Sequence, residues 1–281
     1  MMKRIVYLII LPTLVAILFS CTERIDLPLD EGDIKLVVEG YITTDTTVHS
    51  VFLTQTTGYY DNQASPPVSG AYVTYNDGEK TIELKERLSG IYQTTDDFHG
   101  VEGKTYTLNI RLAAPINGFS EYSASAYMDS IVTLDSAGVS FRPDYGEQGM
   151  WEVKCWIMEP PTTDFYKFEL KRNNSFITSN ISKWIVTDDR FFNGQYIRGG
   201  TISYLSQVDD EERLMPGDTI DMELHRISRE YYNFITDAST EMRGSNPLFS
   251  GPGANIRGNI SNDAIGFFAI YPISRVKFLV P

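Results

Sequence analysis

The sequence contains few of the residues from which catalytic and metal sites are usually built. Among 281 residues there are three histidines and two cysteines, and no HExxH, GxSxG, Walker-type or paired-cysteine motif occurs. We therefore predict no cofactor, no metal centre and no catalytic residues, and hence a protein that is not an enzyme. The enzymatic alternative is an exported hydrolase that assembles its site in space around His99 or His225.

Long apolar runs are also scarce, and the one that occurs is N-terminal. Residues 5–19 are almost entirely apolar and follow Lys3 and Arg4, which is typical of a secretory signal. The run is shorter than the roughly 20 residues that span a bilayer as a helix. It ends at Ser20 and Cys21, and a small residue before a cysteine favours cleavage there with lipidation of the thiol. The alternatives are cleavage elsewhere, with Cys21 incidental, or a retained signal anchor.

This pattern predicts a signal peptide at 1–20, lipidation of Cys21 and an acidic tether at 21–33. The tether contains five acids, one proline and one glycine, so it has little to pack. Its acids form either a plain solvated linker or an export signal like that of some surface lipoproteins of Bacteroidetes. We expect a protein of the outer membrane that contacts the membrane through its lipid anchor only. The sequence does not distinguish the cell surface from the periplasmic face of that membrane as the location.

The charge balance excludes one class of partner. Loss of the signal removes only Lys3 and Arg4, which leaves 22 basic against 37 acidic side chains and a net charge of −15. A body this acidic repels nucleic acid, so we predict no nucleic-acid partner. With Cys21 lipidated, Cys155 is the only remaining thiol and no internal disulfide can form. The core must therefore be large enough to be stable without one.

From residue 34 onward, apolar and polar residues alternate with the period of β-strands rather than of helices. The stretch TYTLNIRL, for example, has an apolar residue at every second position. Seven short strands are predicted within 34–127, and Asn76-Asp77-Gly78 indicates a hairpin between two of them. This pattern favours an N-terminal β-sandwich of immunoglobulin-like or transthyretin-like kind.

Residues 128–281 are predicted to form a second β-rich domain with one packed helix, so the whole protein is expected to be mostly β. WEVKCWIM, FYKFELKR and DTIDMELHRI alternate as strands, and VKFLV is expected to close the domain. SREYYNFITDASTEM instead has helical periodicity, which predicts a helix near 229–242 with Ser228 as its cap. Its apolar face comprises Tyr231, Phe234, Ile235, Ala238 and Met242.

Few residues stand out as candidate contacts for a ligand or partner. The glycine-rich stretch 246–271 contains four polar residues that either bind a ligand or satisfy the backbone of an irregular loop. Two tryptophans either stack on a ligand or pack in the core. The acidic cluster 209–212 offers oxygens to Ca²⁺, but it lacks the spacing of an EF-hand loop and also suits a solvated turn. The candidate contacts are Asn255, Arg257, Asn259, Asn262, Trp156 and Trp184.

Five stretches together resemble the Bacteroidetes lipoprotein family called domain of unknown function 4249. They are KLVVEGYIT, YYDNQASPPVSGAYVTYNDG, GIYQTTDDFHGVEGKTYTLNI, REYYNFI and NPLFSGPGANIRGNISNDAIGFFAIY. The resemblance runs over essentially the whole mature chain. One departure is Asp263, where the family usually has glycine, and Asp is among the residues that tolerate a left-handed conformation.

The resemblance implies outer-membrane lipoproteins that are often encoded beside TonB-dependent transporters, and it carries over no catalytic residues. We therefore expect an accessory lipoprotein of a TonB-dependent outer-membrane transporter, which captures substrate or gates uptake. The alternative is a free-standing envelope module with a binding or adhesin-like structural role. Gene neighbourhood separates the two, because a transporter next to this gene in many genomes favours the first.

Replacing Cys21 by alanine is expected to release the protein from the membrane. Each buried methylene of an acyl chain contributes about 0.8 kcal/mol, so loss of the chains removes the anchor. Incorporation of labelled palmitate and partitioning into a detergent phase measure the effect. Ser20→Ala keeps a small residue before the cysteine and should still be labelled. Retention and labelling of the Cys21→Ala protein would show that the lipid is attached elsewhere.

Overall fold

The first part of the chain folds into seven strands, as its alternation predicts. The computed structural model describes residues 33–58, 64–177, 179–243 and 256–281. The predicted signal peptide, Cys21, nearly all of the tether and Asn255 lie outside these ranges. Within 34–127 the strands are β1 (Leu36–Thr43), β2 (Ser50–Gln55), β3 (Tyr72–Asn76), β4 (Thr81–Leu88), β5 (Ile91–Thr94), β6 (Thr105–Ile116) and β7 (Phe119–Tyr127).

The predicted hairpin at Asn76-Asp77-Gly78 is confirmed, and it joins β3 to β4. Asp77 Oδ1 accepts from the backbone N–H groups of Glu79 and Lys80, over 3.0 and 2.6 Å. Gly78 has a φ of 89°, a conformation that costs a glycine nothing. Local side-chain chemistry therefore fixes this turn.

An eighth strand, β15 (Ile265–Tyr271), completes the first sheet and comes from the segment predicted to be the second domain. The order of the sheet is β15-β1-β2-β5-β4-β3-β6-β7. β15 pairs with β1 in parallel, from Val37 opposite Ile265 to Thr43 opposite Tyr271. Residues 33–281 accordingly form one compact unit.

This eight-stranded sheet curls over its own core. The ring of Tyr75 on β3 stacks on that of Phe268 on β15 at 5.6 Å, although four strands separate the two in the sheet. Gly40 on β1 faces Leu108 on β6, because a Cβ at Gly40 would lie 3.8 Å from the Leu108 side chain. Both contacts require the sheet to fold back on itself. The mostly β, sandwich-like class predicted from the sequence is confirmed.

The second part of the chain forms two further sheets that pack face to face. The strands are β8 (Leu134–Arg142), β9 (Met150–Met158), β10 (Phe165–Arg172), β11 (Ser175–Phe176), β12 (Ile185–Asp188), β13 (Tyr196–Ser206), β14 (Thr219–Ile227) and β16 (Ile273–Leu279). The first sheet has the order β11-β10-β14-β16, with β12 also paired to β10, and the second has the order β13-β9-β8. Apart from the two-residue strand Ser175–Phe176, each strand contributes apolar side chains to a shared core, as the alternation predicts for Trp151, Val153, Cys155 and Ile157.

The predicted helix is present as α1 (Arg229–Met242), and Ser228 caps it by accepting from the Tyr231 backbone N–H over 3.1 Å. Ile235 and Ala238 are buried, but Met242 is 57% exposed. Met242 belongs to the apolar face by its spacing, but it lies in the last turn of the helix, beyond Ala238, which is the last buried helical residue. None of the helices in the described ranges is long and apolar enough to cross a membrane.

Residues 256–264 connect the two edges of the first sheet. The Ser261 backbone N–H donates to the Ser123 carbonyl on β7 over 2.9 Å, and the Ser123 N–H donates to the Ser261 hydroxyl over 2.8 Å. Asn262 Nδ2 donates to the Glu121 carbonyl over 2.6 Å. The segment then continues directly into β15. It thereby closes the curled sheet between β7 and β15.

Two glycines allow the backbones to approach closely at this closure. A Cβ at Gly266 would lie 2.0 Å from the Val38 carbonyl oxygen, and a Cβ at Gly258 would lie 2.0 Å from that of Gly266. Neither distance is compatible with a side chain, since backbone would have to move. Gly266 also has a φ of 107°. Packing therefore requires both glycines, and the backbone conformation additionally requires Gly266.

We predict that Gly266→Ala destabilises the protein by more than about 4 kcal/mol or prevents folding, because overpacking and backbone strain coincide there. Gly78→Ala is the matched control, with a φ of 89° and open space around the new methyl. It should cost only about 1–2 kcal/mol. The free energy of unfolding in urea measures both. Equal losses in the two variants would refute the close approach of β15 to β1.

Candidate functional site

A cavity of about 340 Å³ opens between the two sheets of the second part of the chain. These sheets meet along β8 and β16, where the Leu134 backbone N–H donates to the Ser274 hydroxyl over 2.9 Å. On the opposite side, β12 pairs with β10 while β13 pairs with β9, and the cavity opens between β12 and β13. A cavity of this size with a mostly apolar lining is typical of a small-molecule site.

The cavity has a buried floor and a half-buried rim. The floor consists of core residues that the alternation of β9, β10 and β14 points inward: Cys155, Ile157, Glu159, Tyr166, Phe168 and Leu224. The rim comes mainly from the edge strands and comprises Ile185, Val186, Phe192, Ile197 and Ile202. Because the floor is buried below the rim, a ligand that reaches the floor is removed from contact with water.

Irregular pairing of β13 shapes one wall. Its register with β9 shifts between Arg198 and Gly200 and again between Thr201 and Ser203. Such bulges bend a strand and are frequent beside binding sites. A Cβ at Gly200 would lie 2.5 Å from Ile197 Cγ2, so the first bulge requires a residue without a side chain. The wall is therefore encoded by local backbone geometry.

One carboxyl group, that of Glu159, lies in this apolar lining. The residue follows β9 directly and is 1% exposed. The Tyr166 hydroxyl on β10 donates to its two oxygens, at 2.9 and 3.0 Å. Burial, with smaller contributions from the charges of Asp164 and Asp189, raises the pKa of Glu159 to about 7, although the Tyr166 hydrogen bond and the charge of Arg226 lower it. The group therefore changes its charge near neutral pH.

Asp164 and Asp189 lie behind Glu159, and all three acids are buried. One carboxylate oxygen from each lies within 4.8 Å of the others. Arg226 Nε donates to Asp164 Oδ1 over 2.8 Å. Asp189 Oδ2 accepts from the Asp164 backbone N–H over 2.9 Å and from Asn193 Nδ2 over 3.0 Å. The spacing suits a cation, yet Arg226 already neutralises one acid and a proton on Glu159 can neutralise a second.

Cys155 lies on the cavity floor but is a poor nucleophile. Burial raises the pKa of its thiol to about 11, with a smaller contribution from the charge of Glu159. The thiol is therefore protonated at neutral pH, whereas reactive cysteines have depressed values. Its role in the cavity is that of a small apolar residue.

A second buried polar cluster lies on the opposite face of β10 and β14 and has a structural character. Glu223 Oε1 accepts from Lys171 Nζ over 2.7 Å and from Arg275 Nε over 2.8 Å. Glu223 Oε2 lies 3.1 Å from His225 Nε2. These donors hold the pKa of the Glu223 carboxyl well below its ordinary value despite its burial. Glu169, Glu223 and His225 have the spacing of metal ligands, but the cations already satisfy Glu223.

The two candidate tryptophans lie in different environments, and neither lines the cavity. Trp184 packs among the aromatic residues around α1, with Lys167 Nζ 3.9 Å from its ring centroid. Trp156 lies on the outer face of β9, partly exposed, where it covers Gly199. Trp156 is therefore accessible to a ligand on the outer sheet face, whereas Trp184 already has a cationic partner.

The candidate residues of the 246–271 stretch mostly bind backbone. Asn259 Nδ2 donates to the Phe268 carbonyl over 2.8 Å, and Asn259 Oδ1 accepts from the Phe268 N–H over 2.9 Å. Asn262 has a φ of 58° and bonds to β7 as described above. Arg257 is exposed, and Asn255 lies outside the described residues. A ligand contact by these residues stays a prediction.

The acidic turn 209–212 and the buried residue His49 also have clear structural partners. In the acidic turn 209–212, Lys183 Nζ lies 2.8 Å from an oxygen of Asp209 and 2.9 Å from one of Glu211. Lys183 therefore supplies part of the positive charge that a Ca²⁺ ion bound at this turn would supply. His49 is buried with its Nε2 2.9 Å from the Phe98 carbonyl oxygen, which is a packing arrangement.

Sequence reasoning missed Glu159, Asp164 and Arg226. Glu159 directly follows one predicted strand, and Asp164 directly precedes the next, so a short connection brings these acids together. Asp189, the third acid, belongs to the pair Asp188-Asp189, whose oxygens the sequence offers as possible Ca²⁺ ligands without any spacing that marks a site. The available signal for a cluster of acids was an acid at each end of the short connection between two strands, together with a third acid later in the sequence. It is weak because 37 acids make such coincidences common.

The profile of a protein family described as Domain of unknown function (DUF4249) matches residues 22–276. The chain belongs to this family. The resemblance inferred from the five sequence stretches is thereby confirmed. A search of curated proteins finds no match. The match to DUF4249 spans both sandwich-like halves and every cavity residue, so the site lies within the family's own region.

Glu159→Gln is expected to change how stability depends on pH. The folded-state pKa of this acid lies above its ordinary value of 4.5, so wild-type stability is full below pH 4.5 and falls as pH rises toward about 7. The variant lacks this loss, and its stability relative to wild type should increase by about 1–3 kcal/mol between pH 5 and pH 8.

Urea unfolding at the two pH values measures the effect, with Glu147→Gln at an exposed position as the control. The control should follow the wild-type pH dependence. A Glu159→Gln protein that does the same would show that the buried carboxyl does not hold a proton at neutral pH.

Proposed function

We propose that this DUF4249 protein is an accessory lipoprotein of the outer membrane that captures a small ligand and works with a TonB-dependent transporter in uptake. The cavity between β12 and β13 is the capture site of this proposal. The lipid anchor on Cys21 keeps the binding body close to the transporter. Capture, rather than catalysis, is the role assigned to the residues of the cavity.

The cavity is the observation that carries the proposal. Its floor is buried, its walls are apolar, and a single carboxyl group lies among them, which is the usual composition of a site that binds a small molecule. The two neighbouring groups with catalytic potential are poorly suited to chemistry. The Cys155 thiol is protonated at neutral pH, and the buried acids are paired with Tyr166, Arg226 and Asn193.

The N-terminal sequence and the family support the location and the partner. An apolar run that ends at Cys21 is typical of an exported lipoprotein, and the acidic body suits a soluble domain on a tether. The resemblance to Bacteroidetes lipoproteins encoded beside TonB-dependent transporters is the support for the partner. That support is an association, because a shared family does not by itself fix a function.

The second candidate is a free-standing envelope binding module, and the outer face of the β13-β9-β8 sheet favours it. Tyr145 and Tyr204 stack there at 5.2 Å and are 48% and 39% exposed. Tyr196 is 42% exposed on the same strand as Tyr204, and Trp156 is partly exposed on β9. Exposed aromatic rings above a sheet suit stacking on a sugar or a partner protein.

Affinity purification from outer membranes in mild detergent tests the proposed partner. A TonB-dependent transporter is expected in stoichiometric amount, identified by mass spectrometry. The Cys21→Ala protein should recover much less of it, because loss of the anchor lowers the effective concentration at the membrane. A protein that is recovered alone from both preparations would contradict the accessory role and favour the free-standing module.

A further inference from the structure

We propose that the cavity binds a compact apolar amine, with the ammonium group held by Glu159 and the apolar body held between the two sheets. This inference rests on the proposed function, whose capture site is the same cavity. It adds the chemical class of the ligand. The argument depends on the lining of the cavity, on the charges behind it and on the way it opens.

The walls require an apolar body. Ile157, Phe168 and Leu224 form the floor, and Ile185, Ile197 and Ile202 form the rim. A ligand that replaces water against these side chains gains roughly 25 cal/mol for each Å² of apolar surface removed from water. A strongly polar body would instead lose its own hydration without new hydrogen bonds. The cavity of about 340 Å³ limits the ligand to a single small ring system or a short branched chain.

The charges require a cation, or at least a hydrogen-bond donor, at one end. Glu159 is the only acid in the lining, and Asp164 and Asp189 lie within 4.8 Å of it. Arg226 is paired with Asp164 and also donates from Nη1 to the Ser130 carbonyl over 3.0 Å. Three acids therefore share one arginine. An ammonium group beside Glu159 supplies the missing positive charge, whereas a ligand carboxylate would be repelled.

The neighbours of Glu159 are arranged to accept such a group. The Tyr166 hydroxyl stabilises its charged form by donating to the carboxylate, and the Cys155 thiol contributes no charge at neutral pH. Thr187 and Thr201 also line the cavity, but their hydroxyl groups already donate to the Asp188 carbonyl and to the Glu152 carboxylate. The nearby charges that face Glu159 are thus Asp164, Asp189 and Arg226. Binding of a cation favours the ionised carboxylate and should release a proton near neutral pH.

Three matched compounds test the inference on the full-length protein purified from cells: 2-phenylethylamine, 2-phenylethanol and phenylacetate. Calorimetric titrations at pH 7.5, in buffers of different ionisation enthalpy, report affinity and proton release. The amine is expected to bind about tenfold or more tightly than the alcohol, because it adds a charge-assisted hydrogen bond. Phenylacetate should not bind. At pH 5, where Glu159 is protonated, the affinity for the amine should fall by about tenfold.

Two variants locate the binding. Glu159→Gln keeps the acceptor for Tyr166 and should abolish the preference for the amine over the alcohol, together with the proton release. Ile202→Trp fills the rim and should weaken both compounds. Glu147→Gln, at an exposed position, should behave as wild type. Circular dichroism confirms that each variant is folded before it is titrated.

The outcomes separate this inference from the proposed function. Equal binding of amine and alcohol that Ile202→Trp weakens would overturn the amine class and leave the cavity as a capture site. Amine binding that survives Glu159→Gln would also overturn the inference. If none of the compounds binds to wild type, the inference fails, while recovery of a transporter in the purification experiment would still support the accessory role.

Discussion

The pairing of β15 with β1 is the contact on which the rest of the structure depends. It joins the two ends of the described chain in parallel over seven residue pairs. After Tyr271 a single residue, Pro272, leads into β16, which pairs with β14 in the second sandwich. Proline has no backbone N–H, so no backbone donor is left unpaired at the residue between the two sheets. Two successive strands thus tie both halves into one unit.

Side chains around this crossing reinforce the link between the halves. Arg275 on β16 donates to Asp45 Oδ1, just after β1, over 2.6 Å and to Glu223 on β14 over 2.8 Å. Next to it, α1 packs its aromatic residues on β15, with Tyr231 4.9 Å and Phe234 5.3 Å from the ring of Phe267. Arg275 and Asp45 are both partly exposed, so this ion pair contributes little to stability. The apolar helix contact supplies the stabilising burial.

The cavity combines an irregular strand with buried acids that lack a full set of cationic partners. In the cluster around Glu223, by contrast, Lys171 and Arg275 both pair with the buried carboxylate. At the cavity, β13 has two bulges, the edges of two sheets separate, and three buried acids share Arg226. Departures from local consistency of this kind are expected at functional sites, where stability is given up for binding. This contrast distinguishes the cavity from the equally buried cluster around Glu223.

Local pattern in the sequence determined the strands, the turn at Asn76-Asp77-Gly78, the capped helix and the predicted export signal, because each depends on neighbouring residues alone. The tertiary structure decided the partner of β15, since a parallel pair between distant segments leaves no mark on local periodicity. It also decided the roles of Asn259 and Glu159. A half-buried asparagine or a buried carboxyl acquires its role from groups that the fold brings to it, here the Phe268 backbone and the Tyr166 hydroxyl. Alternation tells which side of a strand is buried, but only packing decides what the buried polar atoms meet.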